Sequence, residues 1–235
     1  IMILPAMGVI SEIIPTFARK TIFGYTAIVV STLAIAFVGY FVWGHHMFTS
    51  GMSGVALYTF SILTFLVAIP SAIKIFNWVA TLHKASIDMQ TPFLWALCFL
   101  FVFMIGGLSG MVLGALSANV HLHDTAFVVA HFHFIGFNTL YLPMFYLGMI
   151  GMPRRYYDYV DKFHGPNIIS SLGAMVMIAG LIVIITNLVR SARHGTPAVK
   201  DPWKGKTLEW TVGSPPSLEN FDEIPTVTDH PYNYD

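Results

Sequence analysis

Apolar residues in this chain come in long blocks separated by short polar stretches, and the block lengths set the first expectation. Blocks at roughly 22–43, 54–80, 92–118 and 166–189 each reach the ~20 residues that a helix needs to cross a membrane. A fifth block, 125–152, is also long enough, but Gly136 and Pro143 interrupt it. The opening stretch 1–14 has neither a basic start nor a small-residue cleavage site, so it reads as the tail of another apolar helix rather than a signal peptide. Further chain is expected before it. The linkers are short and polar: Arg19-Lys20, Phe48 to Ser53, Leu82 to Thr91 and Arg154 to Pro166. Past Arg190 the pattern is lost. The pattern predicts an all-α, polytopic transmembrane helix bundle over 1–190. An extramembrane tail follows over 191–235, polar, Pro-rich and acidic toward its end. No short internal repeat is present.

Composition sharpens this picture. Hydrophobic residues make up 55% of the 235 positions and charged residues 10%, against about 25% charged in a soluble domain. The chain is an integral membrane protein. Its formal net charge is zero, so nothing draws it to nucleic acid. The single Cys98 excludes an intrachain disulfide and reads as a small apolar-segment residue.

The distribution of basic residues tests the ambiguous block. With 125–152 as one crossing, six Lys and Arg (Arg19, Lys20, Lys84, Arg154, Arg155, Lys162) lie on one side and five (Arg190, Arg193, Lys200, Lys204, Lys206) on the other. With two crossings the split becomes eight to three, a far better bias of the kind that orients membrane proteins. Two crossings need about 40 residues, more than the block holds. The sequence is therefore expected to lack residues near 134–136.

Several residues in the apolar blocks carry chemistry. His131 and His133 lie in Val129-Ala130-His131-Phe132-His133, where ionisable groups are costly and functional by default. Residues two apart on a helix diverge by about 200°, so the two imidazoles face opposite sides and would serve separate ligands. Axial ligation of two haems is one outcome; hydrogen bonding of buried histidines to backbone carbonyls is the other. His45-His46 follow Trp43-Gly44 at a helix end. They are either interfacial histidines or ligands of one copper, iron or zinc, converging only where the helix frays. His121, His123 and Asp124 cluster at a membrane surface. His123 and Asp124 suit a hard divalent ion such as magnesium or manganese, and the alternative is a solvated loop with Asp124 as N-cap. Lys74 is the one charged residue deep in a predicted span. Pro70 frees the Leu66 carbonyl and Ser71 shares the lysine's face, so the three make a proton wire; snorkelling to the interface is the alternative. Arg154-Arg155 are suited to carboxylates, haem propionates among them, or act as an orientation signal.

Taken together these stretches resemble subunit I of the haem–copper oxidases, the cytochrome c and quinol oxidase family. The matching segments are Val42-Trp43-Gly44-His45-His46-Met47-Phe48-Thr49, Ile69-Pro70-Ser71-Ala72-Ile73-Lys74-Ile75-Phe76, His123-Asp124-Thr125, Val128-Val129-Ala130-His131-Phe132-His133 and Gly151-Met152-Pro153-Arg154-Arg155-Tyr156. The tail adds Leu208-Glu209-Trp210 and Ser214-Pro215-Pro216. The resemblance implies that His45 and His46 bind the active-site copper. It implies His131 as axial ligand of the high-spin haem and His133 as one axial ligand of the low-spin haem. His123 and Asp124 become the magnesium pair, Lys74, Ser71 and Ser11 a proton pathway, and Arg154 and Arg155 the partners of the haem propionates. Asn119 stands where the family often carries Asp.

The implied function is a respiratory terminal oxidase core that reduces dioxygen to water and pumps protons. It would work with two haems, copper and magnesium, among other oxidase subunits, including the one through which electrons arrive from cytochrome c or quinol. Ile10-Ser11-Glu12-Ile13-Ile14-Pro15 favours a bacterial plasma membrane over a mitochondrial inner membrane. The family's third copper ligand and its tyrosine belong to a His-Pro-Glu-Val-Tyr motif that would immediately precede Ile1, and the second low-spin haem ligand comes from an earlier helix. This chain is therefore expected to be the C-terminal half, completed by a missing N-terminal half. Three rivals share some features: a nitric oxide reductase, which typically lacks the lysine path; a non-catalytic haem electron carrier, which leaves His45-His46 without a task; and a transporter built on Lys74.

Overall fold

A computed structural model of the chain describes residues 2–135, 141–213, 215–221, 223–228 and 230–234. The described residues form helices: α1 (Ile3–Ala18), α2 (Tyr25–Gly39), α3 (Gly54–Leu82), α4 (Thr91–Gly114), α5 (Leu116–Leu122), α6 (Ala126–Ile135), α7 (Leu142–Met149), α8 (His164–His194) and a single turn, α9 (Leu208–Thr211). A 3₁₀ segment at Trp43–Met47 extends α2. Among the described residues four segments are long and apolar enough to cross a membrane: Tyr25–Met47, Gly54–Leu82, Thr91–Gly114 and Asp161–His194. They match the four plain blocks of the sequence.

α3 is the centre of the bundle, packed against α1, α2 and α4. Its polar residues Ser61, Thr64, Ser71, Lys74 and Thr81 recur at intervals of three and seven, so they fall along one side of the helix. Each hydroxyl finds a carbonyl: Ser61 donates to Gly114 O at 2.7 Å, and Thr64, Ser71 and Thr81 donate four residues back. In an apolar surround this satisfaction is what makes such a stripe tolerable. The apolar cluster at the α1 end joins Met7, Ile10 and Ile14 to Trp78, Phe99 and Phe103.

The fourth block does not run unbroken to residue 118 as its apolarity suggested. α4 stops at Gly114, Ala115 turns to an extended ψ of 114°, and α5 restarts the helix. The freed carbonyls explain why the break holds. The Asn119 amide donates to Leu113 O at 2.8 Å, and Ser61 takes Gly114 O.

The described residues of block 125–152 form two helical legs, the first starting and the second ending on the same side. Ala126 N–H donates to Met152 O, Arg154 N–H donates to Asp124 O, and Thr125 bridges Pro153 in antiparallel fashion. α6 has 10 residues and α7 has 8, so the legs rise only about 15 and 12 Å. Gly148 lets them touch: a Cβ there would lie 2.1 Å from the Phe127 backbone nitrogen. Because the legs return to their starting side, the chain follows the two-crossing parity. Arg154, Arg155 and Lys162 lie at one end of the bundle. Arg19, Lys20, Lys84 and the five basic residues from Arg190 to Lys206 lie at the other, as the Arg19 bonds to the carbonyls of Trp203 and Lys204 attest. The proposed junction at Phe134–Gly136 falls partly outside the described residues, which stop at 135 and resume at 141.

Candidate functional site

His45, His46, His123 and His131 gather at the end of the bundle away from the basic-rich end. His45 and His46 sit on the 3₁₀ segment, where the α-helical divergence no longer applies, and their Nε2 atoms approach to 3.1 Å. Two nitrogens each about 2.0–2.1 Å from one metal, at an angle near 100°, stand roughly 3.1–3.2 Å apart. The separation therefore fits a shared ion. Thr64 sets the tautomer. Its hydroxyl donates to Phe60 O at 2.6 Å, so it accepts from His45 Nδ1 at 3.1 Å and leaves Nε2 with a free lone pair.

His131 lies against α4, whose residues make room for it. A Cβ on Gly110 would stand 2.8 Å from His131 Cε1. His131 Nδ1–H is shared between Gly106 O and Ser109 Oγ, each at 3.0 Å, while the Ser109 hydroxyl donates to Gly106 O at 2.7 Å. His133 leaves α6 on another face. Its Nδ1–H donates to Val129 O at 2.8 Å, and its ring stacks on Tyr141 at 4.3 Å. In both residues the proton is held on Nδ1 and Nε2 is left to bind a metal, the arrangement a haem ligand requires. His46 is close enough to His131, and to His123, Asp124 and Arg154, to interact with them electrostatically.

His123, Asp124 and Arg154 form the outer edge. Asp124, at a left-handed φ of 51°, is not the cap of α6; Thr125 accepts the Phe127 N–H instead. Asp124 faces both His123 Nε2 at 3.8 Å and Arg154 Nη1 at 3.7 Å. His123 Nδ1–H donates to Asn119 Oδ1 at 3.2 Å, which turns Nε2 toward the carboxylate. Among the described residues no group of three or more His, Cys, Asp or Glu gathers around one point, so this edge offers a metal ion two ligands. Arg154 Nε is buried without a hydrogen-bond partner. A buried guanidinium nitrogen left unmatched fits an anion such as a haem carboxylate. Arg155 is exposed beside it, and both line an open depression with His123, Asp124 and Tyr156.

Lys74 is fully buried rather than snorkelling, at 1% exposure. Its ammonium crosses to α2, donating to Thr32 Oγ1 and to Ile28 O at 3.2 Å. Ser71, on the same face of α3, turns its hydroxyl to Val67 O on its own helix, and the side-chain partner of the lysine is Thr32. Ser11 accepts from Trp78 Nε1 at 3.0 Å, and the Trp78 ring lies 6.0 Å from the lysine nitrogen. The residues that sequence reasoning missed are Thr32, Thr64 and Ser109. The three-and-seven spacing of the α3 stripe was the available signal for Thr64.

Residues 1–135 match the family described as Cytochrome C and Quinol oxidase polypeptide I. Cytochrome c oxidase subunit 1 of Thermostichus vulcanus is 41% identical over 273 aligned positions, covering 100% of this chain and 50% of the relative. The corresponding protein of Bacillus subtilis (strain 168) is 38% identical over 269 positions, covering 97% and 43%. A solved haem–copper terminal oxidase dimer superposes with a TM-score of 0.70 at 21% identity, over 83% of this chain and 47% of that one, which bears on the fold. The chain thus spans about half the length of the relatives it matches. From its paired histidines to its buried lysine, it belongs to the cytochrome c and quinol oxidase polypeptide I family.

Proposed function

We propose that the chain forms the C-terminal half of the catalytic subunit of a haem–copper terminal oxidase, reducing dioxygen to water and pumping protons. The observation that carries this reading is the set of four imidazoles, His45, His46, His131 and His133. The three whose Nδ1 contacts are seen each have that nitrogen engaged, and the His45 and His46 Nε2 atoms lie at the spacing of one metal. When bound, a copper ion and two haems supply the electron transfer and dioxygen reduction. His45 and His46 hold the copper, His131 the high-spin haem and His133 the low-spin haem. Arg154 and Arg155 pair with haem propionates, and His123 and Asp124 contribute two ligands to a magnesium ion. Lys74 and Ser11, with Ser71 nearby, move protons inward from the basic-rich end. The remaining ligands come from an N-terminal half, and electrons come from cytochrome c or quinol through another subunit. The bacterial sources of the relatives favour a bacterial plasma membrane.

Relatives in this family would carry two full crossings where this chain has the short legs α6 and α7. The family match ends at residue 135, and 273 aligned positions against 235 residues leave at least 38 without a counterpart here. Lengthening legs of 10 and 8 residues to the ~20 of a crossing takes about 22 of these, and the remainder suffices for a connecting loop. Reduced-minus-oxidised spectra of the assembled oxidase, with and without carbon monoxide, test the main reading. One haem that binds carbon monoxide and one that does not is the expected result; two unreactive haems would sink it.

A further inference from the structure

The C-terminal tail returns to α1 and holds a carboxylate there. The Tyr232 hydroxyl donates to Glu12 Oε1 at 2.6 Å and the Thr207 hydroxyl to Oε2 at 2.9 Å, so the tail holds both oxygens. Tyr234 donates to Thr16 Oγ1 at 3.0 Å, and the Trp203 ring lies 5.2 Å from that of Phe17. Arg19 fixes the same stretch from below through the carbonyls of Trp203 and Lys204. These are interior contacts. Thr207 is 5% exposed and Tyr232 6%, and Tyr232 belongs to the apolar cluster of Ile10, Ile14 and Trp78. A polar tail that inserts a tyrosine among membrane helices has been built in, not draped over.

Its position matters because of what lies behind it. Glu12 adjoins Ser11, whose hydroxyl meets Trp78, and Trp78 lies beside Lys74. The tail therefore stands between water at the basic-rich end and the polar residues that lead to the lysine. We propose that residues 203–213 and 230–234 form a strap, fastened on Glu12, that covers the basic-end opening of the Lys74 proton route and limits how fast protons enter it. This rests on Lys74 carrying protons, as proposed above.

The test uses the assembled oxidase with Tyr232→Phe and Thr207→Ala combined, which leaves the membrane helices unaltered. A hydrogen bond to a charged group shifts a docking equilibrium by about tenfold or more, so amide exchange across 203–213 and 230–234 should quicken by about that factor. Proton uptake on reduction of the metal site, followed by stopped flow with a pH dye, should quicken in the same variant. Adding Lys74→Met should abolish that gain. Glu12→Gln, which weakens the same bonds from the other partner, should reproduce both effects. Exchange that stays slow, uptake that stays unchanged, or a gain that survives Lys74→Met each overturns the strap. The carbon monoxide spectrum of every variant reports the oxidase reading separately: an intact spectrum with unchanged uptake rejects the strap alone.

Discussion

Thr64, Ser109 and Asn119 each use a side-chain oxygen to orient a histidine. Replacing Thr64 by Val keeps the shape and removes the acceptor for His45 Nδ1. Loss of such an outer partner typically costs about 10–100-fold in metal affinity, so copper content should fall in Thr64→Val while both haem spectra persist. Lys74→Met should stall steady-state turnover and leave the haem spectra nearly intact; normal oxygen consumption would remove the lysine from the proton path. The histidines and Lys74 were legible in the sequence because an ionisable group in an apolar block needs a reason. Thr64 was legible as one of the α3 stripe but not as the partner of His45, because a helical hydroxyl ordinarily bonds the carbonyl four residues back, and Thr64 does that as well. Its partner lies 19 residues away and only the turn at Trp43–Met47 brings it near. Lys74 was legible as buried but not as paired with Thr32, a contact between helices 42 residues apart.

At the scale of elements, the legs α6 and α7 depend on a crossing too close for any side chain at residue 148. Gly148→Ala would drive a methyl into Phe127 and should destabilise the hairpin by about 1–3 kcal/mol, read as a lower thermal midpoint in detergent. His131 and His133 ride on α6, so the same variant should weaken haem retention before it unfolds the bundle. The four plain spans were legible from block length alone. The break at Ala115 was hidden, since the block stays apolar through it and the freed carbonyls are taken up by donors outside the block, Ser61 on α3 and Asn119 on α5. The hairpin was half legible: charge bias pointed to two passes, and length forbade two full ones.

For the whole molecule, the eight-to-three division of basic residues fixes which end faces which compartment. Single cysteines placed at Lys206 and at Arg155 in a Cys98→Ser background should label from opposite sides of sealed vesicles; labelling from one side would refute the parity. The tail's docking was not legible, because 191–235 lacks periodicity and Tyr232 meets a carboxylate 220 residues away. Burial, then the bond to Glu12, push the Tyr232 phenol above the usual tyrosine range, with Tyr25 and Glu209 nearby acting the same way. A released tail would lose its phenolic proton first. Docking should therefore hold steady below the ordinary tyrosine range and weaken from about pH 10 upward, as tail amide exchange would record.

The same-side return of α6 and α7 has a consequence for how such a chain can vary. An excursion that leaves and re-enters through one face is neutral to handedness: it can be lengthened or cut by matched pairs of half-crossings without inverting anything downstream. α8 and the tail keep their compartment whatever the depth of the loop between them and α4. A change of length between α6 and α7 would thus leave the tail's anchorage on α1 where it is.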